Sequence, residues 1–174
     1  MAIHLPSPPI VYQGQSWLCW AAAIESWAMA VYKERVPQNV LLNQMKTAGM
    51  TDKRGGVDPL ALPWITNTFN MNCHPPLAKA WKQMLSTVQL TEALLKPFMA
   101  NGPIVLITAV GQSIGHCYVI YGADGNTVFY MDPSIKGKYQ VGKNTSLGSH
   151  CVVLYAGNSR KRSNWSMLLQ PSII

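Results

Sequence analysis

From Trp17 to Tyr32 the chain is apolar at nearly every position, with three consecutive alanines, Trp20, Ile24 and Trp27, and only Glu25 and Ser26 interrupt the run. A helix that is hydrophobic all round belongs inside a core, so this stretch predicts a buried central helix from about residue 16, ended by Val36-Pro37. A second helix is predicted over residues 39–48, followed by a polar loop, 49–56, that carries Gly55 and Gly56. Residues 60–69 read as helical despite Pro63, and 91–100 as a further helix with Thr91 as its N-cap. After Asn101-Gly102-Pro103 the pattern turns β-branched and aromatic. Strands are predicted at 104–110, 116–121 and 127–131, the last two joined by a hairpin turn at Asp124-Gly125-Asn126, and a fourth at 150–155 after a Gly/Lys-rich loop. The first twelve residues, with Pro6, Pro8 and Pro9, predict an extended tether over the surface. Helices first and antiparallel strands second predict an α+β fold with a cleft where the two halves meet.

Composition narrows this picture. A chain of 174 residues is one domain, 1–174, long enough to bury roughly 70% of its unfolded surface. Hydrophobic residues at 48% against 12% charged exclude a disordered chain, and no apolar run of about 18 suggests a spanning helix, so a soluble protein without membrane contact is expected. The net charge of +7 favours encounter with acidic partners. The basic residues are scattered, however, apart from Arg160-Lys161-Arg162, and no aromatic platform or groove-reading motif accompanies them. They read as solvated surface, and direct nucleic-acid binding is not expected. Cys19, Cys73, Cys117 and Cys151 are widely spaced in a chain that needs no staples, so no disulfides are expected. No basic segment followed by an apolar one opens the chain. That fits a cytosolic protein or one delivered by a route that reads no cleavable leader.

The chemistry begins at Cys19. It stands where a Gly/Ser-containing loop enters the buried helix, and unpaired amides with the positive end of the helix dipole favour a thiolate there. The segment Gln13-Gly14-Gln15-Ser16-Trp17-Leu18-Cys19-Trp20-Ala21 resembles the active-site segment of papain-like cysteine peptidases. In that family a Gln six residues before the Cys helps form the oxyanion hole, and Cys-Trp-Ala opens the central helix. The resemblance implies a papain-like fold, Cys19 as nucleophile, and Gln13 with the Cys19 N–H as oxyanion donors. Papain-like logic next needs an imidazole and an orienting group from the strand half. Gly115-His116-Cys117 opens one strand and Met131-Asp132-Pro133 closes the next, so a hairpin brings His116 and Asp132 to the same end of a ribbon. This ending looks more like the bacteriocin-processing (C39) peptidases and their relatives than like papain, whereas Cys19-Trp20 is papain-like.

Other readings compete for some of these residues. His150-Cys151 also opens a strand and Asn164-Trp165 follows, but no carboxylate follows His150 and Asn164 sits in a basic polar loop, which favours His116 and Asp132. No C-x-x-C or H-x-x-x-H clip joins Cys73, His74, Cys117, His150 and Cys151, so neither a metal nor any other cofactor is expected. Gly55 and Gly56, ahead of a helix bearing Trp64, are similar to the glycine-lined substrate wall of papain relatives, and Trp20 and Trp64 are expected beside the substrate. Trp17, Trp20, Trp27, Trp64 and Trp81 are all assigned to core and cleft wall rather than to a binding platform.

The implied activity is a cysteine endopeptidase acting through a thioester. Resemblance to the bacteriocin-processing branch implies a narrow cleft that takes small residues, such as Gly-Gly, before the scissile bond. A basic papain-like domain of this kind is also similar to toxins that bacteria deliver into rivals through type VI or contact-dependent systems. That likeness implies a neutralising immunity protein and a target protein in the recipient cytosol, with a nucleic-acid-associated target such as a topoisomerase subunit suiting the charge. The same Cys-His-Asp geometry also serves peptidoglycan amidases and glutamine-deamidating toxins, and a catalytically dead binding module is the remaining alternative.

Overall fold

The computed structural model describes residues 2–52, 56–80, 82–110 and 113–157. Four helices, α1 (Cys19–Tyr32), α2 (Gln38–Thr47), α3 (Leu62–Thr68) and α4 (Glu92–Leu95), precede most of the sheet in the chain. The strands are β1 (Ile3–His4), β2 (Met71–His74), β3 (Leu85–Ser86), β4 (Ile104–Val110), β5 (Ser113–Asp124), β6 (Thr127–Met131), β7 (Tyr139–Lys143) and β8 (His150–Ala156). They form one antiparallel sheet in the order β2-β8-β4-β5-β6-β7, with β1 added to β5 and β3 to β8. This is an α+β arrangement, with the helices of the first half packed on the sheet of the second.

The uninterrupted apolar strands follow from burial of both sheet faces. Val105, Ile107, Cys117, Val119, Val152 and Leu154 point to the face covered by α1, α2 and α3, where they join Trp20, Ile24, Trp27, Leu41 and Ile65 in one core. Their neighbours Ile104, Leu106, Ile120 and Val153 point the other way, into a second core closed by Leu90, Leu95 and Met99 and flanked by Ile3 and Leu5. Strand alternation therefore sorts each run between two hydrophobic layers.

Several boundaries differ from the sequence-based expectation. Helix α1 starts at Cys19 rather than near 16 and ends at Tyr32, where Lys33 turns left-handed at φ 62°, before Val36-Pro37 is reached. The stretch 60–69 is a 3-10 turn, Pro59–Ala61, continued by α3; Pro63 lies in the helix's first turn, where its missing N–H breaks no helical bond. The Thr91 hydroxyl does accept from the Leu94 N–H, at 3.4 Å, yet α4 stops at Leu95. Strand β5 extends beyond 116–121 at both ends, and β2, β3 and β7 were not anticipated. The Pro-rich opening is more than a loose tether. It adds β1 to the sheet, Leu5 N–H donates to Tyr121 O at 2.9 Å, and Ser26 Oγ, buried in α1, donates to Pro9 O at 2.6 Å. No helix among the described residues is long and apolar enough to cross a membrane.

Candidate active site

Cys19 is the first residue of α1, and no side chain caps that end of the helix. The helix lies on the sheet face to which β5 sends Cys117 and Val119, so the Cys19 thiol reaches the head of β5. There it lies beside the side chains of both His116 and Cys117, which act on its ionisation. His116 Nε2 pairs with Asp132 Oδ1 at 2.7 Å. The hairpin between β5 and β6 brings these two together: Val119 pairs with Met131, leaving Asp132 just past the end of β6 alongside the start of β5. Because Asp132 engages Nε2, Nδ1 is the ring nitrogen left for exchange with Cys19.

The electrostatics follow from these contacts. The Cys117 hydrogen bond is the largest influence on Cys19; burial opposes it, and the hydrogen bond and charge of His116 add to it, bringing the thiol from 9.0 to about 5. For His116, burial disfavours the imidazolium, but hydrogen bonds to Asp132 and Cys19 and their charges outweigh it and raise the group to about 9. Burial likewise works against the Asp132 carboxylate, yet hydrogen bonds from His116 and Ser134 hold it below its ordinary value. Between these limits the stable form is a thiolate beside an imidazolium.

Three further residues support this centre. Ser134 gives Asp132 Oδ1 two hydrogen bonds, from its N–H at 2.8 Å and its hydroxyl at 2.7 Å. The signal for it was present, since an Asp that accepts from the N–H two residues on makes an Asx turn, and Asp132-Pro133-Ser134 has that form. Thr108 is the second. The register of β4 against β5 shifts between Thr108 and Ala109, and the Thr108 hydroxyl accepts from His116 N–H and donates to His116 O, both at 3.1 Å. It takes over part of the ladder at the bulge and holds the His116 backbone. Cys117 is the third, fully buried beside Cys19.

Gln13 is buried beside this centre. Its N–H donates to Pro133 O at 2.9 Å, which ties it to the Asp132 turn, and its Nε2 donates to Ser16 O at 3.1 Å. An amide nitrogen carries two hydrogens, so a second remains for a ligand. The Gln13 Oε1 and Trp17 Nε1 atoms are buried without a hydrogen-bond partner.

The proposed substrate residues fare differently. Trp20 is only 2% exposed and belongs to the core beneath α1, because the helix is apolar on every side and its first turn is already packed; it backs the site and is not a cleft wall. Gly55 lies outside the described residues. At Gly56 the N–H donates to Asp52 Oδ1 at 2.9 Å, and an added Cβ would stand 2.8 Å from Asp52 Oδ2. The missing Cβ thus accommodates the chain's own carboxylate. Trp64 is half-buried and packs edge-on against Phe69, at a centroid distance of 6.5 Å. His150 is exposed, with Nδ1 3.1 Å from Ser149 Oγ, while Asn164 and Trp165 of the rival pairing lie outside the described residues, as does Trp81. Among the described residues no group of three or more His, Cys, Asp or Glu is placed to hold a metal ion. All four cysteines are free thiols.

No curated protein matches the chain. Among solved structures, the peptidase domain of Streptococcus ComA, a bi-functional ABC transporter of a quorum-sensing pathway, superposes with a TM-score of 0.56 at 16% identity, covering 84% of this chain and 97% of that one. At that identity the likeness is one of fold, and it agrees with the C39-like ending of the strand pair. The family model for the papain-like cysteine protease AvrRpt2 (Peptidase_C70) matches residues 5–147, a span that takes in Gln13, Cys19, His116 and Asp132. With most of its length matched, from the Pro-rich opening to the end of the Gly/Lys-rich loop, this chain belongs to the papain-like cysteine protease family of AvrRpt2 and is a cysteine peptidase.

Proposed function

We propose that the chain is an endopeptidase working through Cys19, His116 and Asp132. The observation that carries this reading is the 2.7 Å His116–Asp132 pair beside a thiol at the start of a buried helix. The Cys19 thiolate attacks the scissile carbonyl carbon, and the electron pair displaced onto oxygen is met by the Cys19 N–H and the second Nε2 hydrogen of Gln13. His116, as imidazolium, passes its Nδ1 proton to the leaving amine as the C–N bond breaks, which leaves a thioester on Cys19. Neutral His116 then takes a proton from water as that water attacks the thioester; release of the acid restores thiolate and imidazolium. Asp132, fixed by Ser134, orients the ring and stabilises its charged form.

Narrow access supports a preference for small residues before the scissile bond, with Gly-Gly the sequence we assign. Cys19 is 5% exposed and the His116 side chain 23%, so bulky flanking side chains have little room to approach. The biological setting we assign is a toxin delivered between bacteria, cutting a target protein in the recipient cytosol and silenced in the producer by an immunity protein over the cleft. Its support is the net charge of +7, which suits an acidic or nucleic-acid-associated target, together with the likeness of such domains to this one.

The test is N-terminal proteomics on bacterial lysate treated with wild type or Cys19→Ala. New termini that follow Gly-Gly and appear with wild type alone are expected. Equal termini with both proteins would overturn the role of Cys19, termini after other residues would overturn the Gly-Gly assignment, and one-dalton mass gains without new termini would replace proteolysis by deamidation.

A further inference from the structure

The catalytic cycle leaves one adjacent nucleophile unused. Cys117 follows His116 directly on β5, is fully buried, and packs in the same core cluster as Cys19, whose side chain acts on its thiol. The other two thiols stand apart from this pair. Cys73 is on β2, and Cys151 is in the core on the opposite face of the sheet; burial pushes both up to about 12, as expected of inert structural thiols. Cys117 faces α1 because alternation along β5 sends it and Val119 to the same layer, the layer that holds Cys19. The fold thus sets a second thiol beside the nucleophile.

We propose that Cys117 is the resolving thiol of Cys19: a peroxide oxidises the nucleophile to sulfenic acid, and Cys117 captures it as a Cys19–Cys117 disulfide, a recoverable off state of the peptidase. The proposal rests on Cys19 being the reactive thiolate. In the first step the Cys19 sulfur attacks one peroxide oxygen, the O–O bond breaks, and the departing hydroxide is protonated to water. In the second, the Cys117 sulfur attacks the Cys19 sulfur, the S–O bond breaks, and the leaving oxygen departs as water with the proton that Cys117 gives up. Two thiols lose two electrons and two protons in all, and one peroxide becomes two molecules of water.

Three features favour capture over further oxidation. Hydrogen peroxide is small enough for the narrow approach to Cys19, which excludes bulkier oxidants. Cys117, with no exposed surface, is shielded from direct oxidation and stays a thiol until its neighbour reacts. At rest the Cys19 side chain, through its hydrogen bond and its charge, holds the Cys117 proton in place, together with burial. Conversion of Cys19 to a neutral sulfenic acid removes that charge and weakens the hold on the Cys117 proton, whose loss burial alone then opposes. A disulfide ties up the nucleophile and is reopened by a dithiol, whereas a sulfinic acid is not.

The experiment exposes the wild-type protein to a small excess of hydrogen peroxide and maps its thiols by peptide mass. A Cys19–Cys117 cross-linked peptide, lighter by two hydrogens, is expected, together with loss of peptidase activity and its return with dithiothreitol. In Cys117→Ala the same treatment should carry Cys19 on to the acid with two added oxygens, and dithiothreitol should restore nothing. The cross-link in the wild type stands without any variant, should Cys117→Ala fold poorly. Oxidation of wild-type Cys19 directly to sulfinic acid, pairing of Cys19 with Cys73 or Cys151, or equal recovery in Cys117→Ala would overturn the proposal. Untreated Cys19→Ala that retained activity would overturn the nucleophile assignment instead, so the two failures are distinguishable.

Discussion

Cys19 and His116 titrate toward each other's usual range, and the interval between them sets where the enzyme works. In the proposed mechanism attack needs Cys19 ionised and the leaving amine needs a protonated His116. Activity is therefore lost in acid as the thiolate gains its proton near pH 5, and lost in base as the imidazolium gives up its proton near pH 9. A bell-shaped kcat/KM profile with limbs at those values is expected. Asp132→Asn removes the charge that helps hold the imidazolium, so its alkaline limb should move down while the acid limb moves less; an unmoved alkaline limb would deny Asp132 that role. In the proposed mechanism Gln13 acts on the oxyanion. Gln13→Ala should lower kcat by about 10²–10³ with little change in KM, the cost seen when one oxyanion donor is removed, and a change confined to KM would point to ground-state binding instead. That these residues would be brought together was legible in the sequence, because each proposed role demands a particular side chain at a particular spacing. The place of Trp20 was not, because a Trp beside the nucleophile looks the same on a cleft wall as in the core, and only packing decides between them.

Among the elements, strands with both faces buried declared themselves by their unbroken apolar runs, and β6 fell on its expected residues. Strand β7 did not: Tyr139-Gln140-Val141-Gly142-Lys143 alternates exposed and half-buried positions at the sheet edge, and Gly and Lys hid it in a loop-like composition. β2 and β3 are four and two residues long, so their pairing with β8 defines them more than their own pattern does. The bulge between β4 and β5 was equally invisible, since it depends on which residue opposes which. Its consequence is Thr108. Replacing it with the near-isosteric Val leaves the His116 N–H without its side-chain acceptor, at a cost of about 1–3 kcal/mol for a buried unsatisfied donor. Thr108→Val should therefore lower the thermal midpoint and, by loosening the His116 backbone, lower kcat more than it raises KM. Thr108→Ser, which keeps the hydroxyl, should recover most of both. A loss of stability with kcat intact would make Thr108 a structural residue and no more.

For the molecule as a whole, the site is assembled from parts that meet only after folding. The proposed nucleophile comes with α1, the imidazole and carboxylate proposed to serve it with the β5–β6 hairpin, and the proposed oxyanion donor with the loop that carries Gln13. That loop is tied at three points. Gln13 N–H reaches Pro133 O behind the Asp132 turn, Gln13 Nε2 reaches Ser16 O, and Gln38 of α2 brackets the residue, its Nε2 donating to Tyr12 O at 3.0 Å and its Oε1 accepting from Gly14 N–H at 3.3 Å. Helix α2 touches neither Cys19 nor His116 through these bonds, so its contribution should be separable from theirs. Gln38→Ala is expected to reduce kcat by about 3–10-fold, as for the loss of roughly 1 kcal/mol of positioning, with KM changed less. The rate at which iodoacetamide alkylates Cys19 reports the thiolate and its imidazolium partner without using the oxyanion donors, and it should stay at the wild-type value in Gln38→Ala. If alkylation fell in step with kcat, α2 would be supporting α1 and the ion pair rather than the Gln13 loop. If neither changed, the two ties beyond Gln38 would suffice to hold Gln13 in place.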